Sequence, residues 1–353
     1  MSEPVELHIA KNDPVALHSP KDLITDAGAV QYGLFAAPPE QISFHKFDWR
    51  NAMDNPIKGL RKRMAPNQFQ FIGLTGPNFI LGAAIVNLNW VSKAFVYVYD
   101  PITKEFEEFS WLMPFAFQTQ TSNQPNAGTW SFKAGNNKIE MQAAKGKRTL
   151  RMDLKGKLVV DVTLDEESEY NPLPVCCRAG YNGWVFTNKV TARDFNGQIQ
   201  WHGRNIDTAN LLASVDWSCG FMRRETFWNW ASLSHQTDDG IKVGFNLANG
   251  VNETGDTENG LWINDQLIKL DRVYFEFDRS DREKTWKVKT SDGKIDLTFE
   301  PEGTRKEKIN AVLLASNFTQ VFGQFYGHVK DVNGNRIEID GAIGFCEDHY
   351  AKW

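Results

Sequence analysis

Short alternating runs separated by Gly- and Asn-containing turns recur along most of this chain, and few regular folds can absorb that pattern. Gln68–Leu74 is followed by the turn Thr75-Gly76-Pro77-Asn78 and then by Phe79–Trp90. Phe95–Tyr99 runs to a turn at Asp100-Pro101. Thr129–Lys133, Lys138–Gln142, Thr149–Leu154 and Leu158–Leu164 follow, with Ala134-Gly135-Asn136-Asn137, Lys145-Gly146-Lys147 and Lys155-Gly156-Lys157 between them. Strand-length runs at near-regular spacing read as an antiparallel meander. A parallel sheet would need long helical crossovers, and none is visible. The pattern pauses at 166–181, which holds Pro172 and Pro174. It restarts with Tyr181–Val190, Gln198–Arg204 and Ile241–Ala248, continues through Gly260–Ile263, Arg272–Asp278, Thr285–Thr290 and Lys294–Phe299, and ends with Asn317–Val329 and Arg336–Phe345. The expected organisation is therefore all-β, with two tandem antiparallel β-barrels and few short helices: an N-terminal arm over 1–30, a first barrel over 31–165, a linker over 166–181 and a second barrel over 182–353.

Size and charge agree with this and exclude several functions. A chain of 353 residues exceeds what one hydrophobic core usually serves. A net charge of -5 argues against nucleic acid as a partner. Aromatic content of 12%, with 24 Phe and 12 Trp, favours wide apolar sheet surfaces. The N-terminal Met1-Ser2-Glu3-Pro4-Val5-Glu6 lacks the basic and apolar regions of a secretory signal. Phe79–Val91 is too short, and too interrupted by Asn87 and Asn89, to span a bilayer as a helix. Cys176, Cys177, Cys219 and Cys346 have no metal-ligand spacing, and scattered thiols suit a reducing cytoplasm. No phosphate loop, nucleophile elbow or zinc-binding helix occurs, so neither metal nor cofactor is expected. Asp331-Val332-Asn333-Gly334-Asn335 lacks the closing Glu of a calcium loop and reads as a hairpin turn. Lys58, Arg61, Lys62 and Arg63 form one basic cluster, which admits an anionic ligand or peripheral membrane contact as well as a plain solvated face.

The stretch richest in chemistry is Asp216–Ala231, which holds three of the 12 tryptophans, two adjacent arginines and two carboxylates. Read as one strand, it places Met222, Arg224, Thr226, Trp228 and Trp230 on one face, with Phe221, Arg223, Glu225, Phe227 and Asn229 on the other. A guanidinium can lie on an indole and still bind a carboxylate. One reading is a large apolar cavity holding a few fixed polar groups; the other is a salt-bridged strand packing one sheet on another. In the cavity reading Arg224 faces the ligand beside Trp228 and Trp230, while Arg223 pairs with Glu225 or a neighbouring carboxylate.

Two further polar clusters stand out. Gly255-Asp256-Thr257-Glu258-Asn259-Gly260 is too acidic for a bare turn, so Glu258 and Asn259 are candidate ligand contacts. Glu347-Asp348-His349 places Glu347 and His349 on one strand face, where the carboxylate can set the imidazole tautomer; a strand end closed by ion pairs explains the same residues. His235 and His202 are lone histidines, which are more often structural.

Several segments resemble a bacterial family known only as domain of unknown function 2804. They are Asp216–Gly220, Arg223–Ala231, Gly244-Phe245-Asn246-Leu247, Glu258–Trp262, Asp296–Pro301, Gln320–Gly327 and Glu347–Trp353. The N-terminal half matches more loosely, through Tyr32–Phe35 and Lys62-Arg63. This resemblance implies barrels of the lipocalin-like, or calycin-like, kind, distantly related to carotenoid hydratases, tocopherol cyclases and some fungal polyketide cyclases. It implies a hydrophobic small molecule as partner: a lipid, fatty acid or terpenoid. The functional reading that the residues themselves suggest is a hydratase, cyclase or isomerase without a cofactor. Asp216, Glu347 or His349 would be the proton donor. Arg223, Arg224, Trp228, Trp230, His235, Asn246, Glu258, Asn259 and Asp348 would be ligand-binding. A non-catalytic lipid or pigment carrier and a structural β module without a ligand are the alternatives.

Overall fold

The computed structural model describes residues 19–166, 170–251, 255–311 and 314–352. The chain is all-β. Its strands lie in three sheets, and every pairing between them is antiparallel. The α-helix among the described residues is the five-residue Gly59–Arg63, which buries no side chain.

The first sheet has eight strands, in the order Gly33–Leu34, Leu173–Ala179, Gly183–Arg193, Leu212–Phe221, Asn67–Gly76, Phe79–Asn87, Val91–Tyr99 and Phe106–Pro114. The second has seven, mainly the meander Gly128–Ala134, Asn137–Ala144, Lys147–Leu154, Leu158–Asp165 and Phe195–Trp201. These two face each other across one core, which contains Trp130, Leu150, Val160, Trp184, Phe186 and Trp217. The third sheet has nine strands. Glu225–Gln236, Arg336–Lys352, Leu314–Lys330 and Ile295–Ala311 form its centre. It curls until its edge strand Val273–Glu276 comes back beside Lys242–Asn249, around a core of its own that includes Leu233, Phe245, Trp286 and Phe325.

The central strands of the first sheet are covered on both faces. One lies on the second sheet. The other meets the third through Phe71, Tyr97 and Tyr99 against Phe322 and Phe345; the Tyr99 and Phe322 rings stack with centroids 4.9 Å apart. A strand covered on both faces reads as a continuous apolar run instead of an alternating one. Phe79–Asn87, apolar from Phe79 to Val86 and buried at all but one position, is such a strand. The meander strand Lys147–Leu154 faces solvent on one side and alternates strictly.

The expected organisation needs three corrections. Residues 166–181 are not an unstructured linker, because Leu173–Ala179 pairs with Gly183–Arg193 within the first sheet. Strands as late as Leu212–Phe221 complete that sheet, pairing with Asn67–Gly76, so the change of sheet falls after Phe221. The two prolines mislead there because Pro174 sits in a strand without breaking it. The arm expected over 1–30 is also more than a loose extension: Leu23 and Ile24 are wholly buried in the first core, while residues 1–18 lie outside the described residues. Finally, Asp216–Ala231 is two strands, Leu212–Phe221 and Glu225–Gln236, joined by Met222-Arg223-Arg224.

Gly82 pairs with Tyr97 across the sheet, and a Cβ there would stand 2.3 Å from the Tyr97 ring. Gly82→Val should displace Tyr97 from the contact between sheets and lower stability by about 1–3 kcal/mol, as overpacking a core does. Urea denaturation followed by circular dichroism measures it.

Candidate functional site

A cavity of about 410 Å³ lies between the first and third sheets, beside the aromatic contact that joins them. Strand alternation decides which side chains reach it. From the first sheet, the register places Lys189, Asp216, Phe71 and Ala84 in one cross-strand row, and Thr187, Ser218, Phe69 and Val86 in the next. Their neighbours Trp217 and Cys219 point to the opposite face, into the first core, where Trp217 packs edge-on to Trp130 with centroids 6.0 Å apart. From the third sheet, Trp230, Glu347, Gln320 and Arg305 form one row, and Trp228, His349, Phe318 and Glu307 the next. Most of the wall is apolar, and its polar groups fall into three clusters.

The first cluster is buried and ionic. Lys189 Nζ lies 2.6 Å from Asp216 Oδ2 and 3.3 Å from Glu258 Oε2. The Lys189 and Glu258 side chains are 5% and 7% exposed. Ser218 Oγ sits 2.7 Å from Asp216 Oδ1 and 2.8 Å from Thr187 Oγ1. Burial disfavours the charged form of each member. For Lys189 the two carboxylates outweigh burial and hold its value above the ordinary one. For Glu258, burial and the nearby Asp216 charge outweigh the attraction of Lys189, and its value is raised. Lys189 is thus the shared cation of two carboxyl groups, and burial works against ionisation of Glu258.

The second cluster surrounds Glu347, which is 5% exposed. Trp228 Nε1 donates to its Oε1 at 2.8 Å, and Gln320 Nε2 donates to its Oε2 at 3.2 Å. The His349 ring lies against the Trp228 indole, with centroids 4.2 Å apart, and Nε2 is 3.0 Å from Ser316 Oγ. Its Nδ1 is 3.6 Å from Glu347 Oε1, beyond a hydrogen bond, and has no other partner among the described residues. Gln320 Oε1 likewise accepts from no described residue.

The third cluster is Arg305, 4% exposed, with Nη2 donating to Glu108 Oε1 at 2.7 Å. Its guanidinium lies 4.3 Å from the Phe95 ring centroid and 4.7 Å from that of Phe318. Lys93 pairs with Glu307 next to it.

The cavity thus collects Asp216, Arg223, Trp228, Trp230, Glu258, Glu347 and His349 from the residues expected to act. It leaves others out. Arg224 is exposed in the connection between strands and does not line it, whereas Arg223 does. The assignment of Arg224 to the cavity is therefore reversed: alternation cannot be counted through Met222–Arg224, where the strand is interrupted. Asp216 pairs with Lys189. Asp348 points to the opposite face, where Arg282 Nη2 binds it at 2.7 Å and Asn229 Nδ2 at 3.1 Å. Asn246 stands behind the wall, its Oδ1 accepting from Trp230 Nε1 at 2.8 Å. Asn259 holds backbone, accepting from Ala248 N at 2.6 Å and donating to Asp271 O at 2.9 Å. His235 lies off the cavity, its pKa lowered by burial despite Asp238.

Sequence reasoning missed Lys189, Arg305 and Gln320. A lysine in a strand that opens on the apolar Trp184-Val185-Phe186 was a usable signal, because a buried lysine needs a partner. Arg305 carried no such signal. A bulge between Pro301 and Gly303 shifts the register, so Phe299 faces the third sheet's own core while Arg305, at the same parity, faces the cavity. Four cysteines are free and buried, and no described group of His, Cys, Asp and Glu could hold a metal ion. No described helix is long and apolar enough to cross a membrane.

Fold and site together define an all-β antiparallel protein with a mostly apolar cavity between two of its sheets. The chain belongs to the family described as "Domain of unknown function (DUF2804)", whose model matches residues 14–353. Among solved structures, it is similar to kievitone hydratase from Nectria haematococca, at 12% identity and a TM-score of 0.46, covering 81% of this chain and 88% of that one. It is also similar to a putative AttH from Nitrosomonas europaea, at 15% identity and a TM-score of 0.47, covering 85% and 98%. A third is CghA with Sch210972, at 8% identity and a TM-score of 0.47, covering 82% and 88%.

The buried trio makes an opposed pair of predictions. Lys189→Met leaves its carboxyl partners without their cation and should cost about 3–5 kcal/mol. Glu258→Gln should be tolerated and should change the pH profile. A carboxyl whose folded value is raised stabilises fully below its unfolded value of 4.5 and loses that contribution as pH rises through the folded value. Glu258→Gln cannot ionise, so its stability relative to wild type should improve as pH rises above 4.5. Urea midpoints measured as the pH is raised check this, and an unchanged or opposite slope removes the raised value of Glu258.

Proposed function

We propose that this protein binds an apolar small molecule, of lipid or terpenoid type, in the cavity between the first and third sheets. We further propose that it performs cofactor-independent acid–base chemistry there, as a hydratase, cyclase or isomerase. The observation that carries the reading is the pairing of an aromatic wall with deeply buried ionisable groups that face the same space. Buried charge is costly, and a fold that needed only stability would do as well with apolar residues there. Protonating an alkene requires one acid in a water-poor pocket, with π faces near the developing cation. Glu258, whose value burial raises, can supply the acid, and Trp228 and Trp230 the π faces. Glu347 and His349 can take the proton away on the other wall. Both Glu347 oxygens already accept hydrogen bonds, which favours a non-catalytic carrier as the second reading.

Thr226 lines the cavity and is partly exposed, so Thr226→Trp fills space there without disturbing a core. Titration with a fluorescent polyene fatty acid should show saturable binding by the wild type. Thr226→Trp should weaken it at least about tenfold, roughly the effect of lost apolar burial of one or two methylenes and more. Equal affinity would move the ligand to another place. Mass spectrometry of extracts from protein purified out of its native host then identifies the ligand. Turnover of that ligand by wild type, lost in Glu258→Gln with binding retained, separates enzyme from carrier.

A further inference from the structure

At one end of the cavity the protein shows aromatic side chains to solvent. Trp90 is 53% exposed, Leu112 60%, Phe115 71% and Phe117 63%, and Ile309 of the facing sheet is 42% exposed. Asn87–Val91 and Pro114–Thr119 are adjacent turns: Val91 pairs with Pro114, and Phe115 N donates to Trp90 O at 2.8 Å. The Trp90 and Phe115 rings lie 6.2 Å apart. This is not loose chain. Asn89, Phe115, Ala116 and Gln118 are all held in the left-handed region, at φ between 51° and 62°. Non-glycine residues there raise the energy of the turn, and such strain clusters where a surface has a task. The same turns carry no charged side chain from Val86 to Ser92 or from Leu112 to Gln118.

A basic element stands beside them. Asn89 Nδ2 donates to Pro66 O at 2.6 Å, tying the aromatic turn to the end of the Gly59–Arg63 segment. That segment carries Lys58, Arg61, Lys62 and Arg63, with no acidic residue from Pro56 to Gln70. Lys58, Arg61 and Arg63 are exposed, as is Leu60 at 65%. Lys62 is partly engaged, donating to His45 O at 2.7 Å. Exposed aromatics next to cations match the interface of an anionic bilayer, where rings sit at the level of the headgroups and cations meet the lipid charge.

We infer that this end of the protein docks on anionic phospholipid membranes, inserting Trp90, Leu112, Phe115 and Phe117 while the Lys58–Arg63 segment contacts the headgroups. Leu88, Val91 and Leu112 also line the cavity, so the docked surface and the cavity wall are continuous. A lipid-like ligand could then pass from bilayer to cavity without crossing water. Docking itself does not depend on what the cavity holds, and it is tested without any cavity ligand.

The test is co-sedimentation of the full chain with phosphatidylcholine vesicles, with and without about a third phosphatidylserine, at low salt and at about 0.15 M. Wild type should sediment with the anionic vesicles and not with the neutral ones, less at the higher salt. The double variant Trp90→Ser/Phe115→Ser should bind at least about tenfold more weakly with an unchanged circular dichroism spectrum. If that variant does not fold, the solvent-side variant Lys58→Glu/Arg63→Glu decides the matter. It should lose roughly fivefold or more per reversed charge. Absence of wild-type binding, or wild-type affinity in a folded variant, overturns the inference. So does a dimer in analytical ultracentrifugation that Trp90→Ser/Phe115→Ser dissolves, because a second copy would then be what covers the patch.

Discussion

The rest of the structure depends on the first sheet being buried on both faces along its central strands. Its inner face closes the core with the second sheet, and its outer face receives the third through Tyr97, Tyr99, Phe322 and Phe345. Two curved sheets pressed together at one place must separate elsewhere, and the cavity occupies the ground beside that contact. The aromatic contact therefore does two things. It holds the third sheet in place, and it fixes the distance across which the two walls of the cavity face one another. Gly82 and Gly303 belong to the same contact, since each leaves room for a tyrosine ring.

That arrangement governs the chemistry of the buried groups. Lys189 sits on a strand with no solvent-facing side, so its ammonium must find carboxylates within the protein. Asp216 supplies one from the neighbouring strand, and Glu258 arrives from the far side of the cavity on the loop that leads into Gly260–Ile263. One cation cannot fully compensate two carboxylates in a water-poor place, and burial works against ionisation of Glu258. Arg305 solves a related problem differently. Its charge meets Glu108, and its flat surfaces lie on aromatic rings, which suits a weakly hydrated guanidinium better than it would an ammonium.

The crossing at Met222–Arg224 links the two halves of the site. The strand before it delivers Asp216 and Ser218 to one wall, and the strand after it delivers Thr226, Trp228 and Trp230 to the other. One stretch of sequence thus contributes to both walls, which explains its mixture of aromatic and charged residues better than a single strand does.

Local alternation and turn chemistry were enough to determine that the chain is all-β and antiparallel, because side-chain period and Gly/Asn turns are properties of adjacent residues. They also determined that Glu347 and His349 share a face, and that Thr226, Trp228 and Trp230 share one, since each set lies within an unbroken strand. Tertiary structure alone decided the rest. Leu212–Phe221 joins the first sheet because its partner is Asn67–Gly76, far away in sequence, and Gly183–Arg193 and Leu173–Ala179 pair on in turn beside it. Arg224 leaves the cavity and Arg305 enters it because an interrupted strand and a bulge each reset the parity that a periodic reading assumes. Lys189, Asp216 and Glu258 form one cluster only once three segments with no local relation to each other are brought together, and no period within any of them records that meeting.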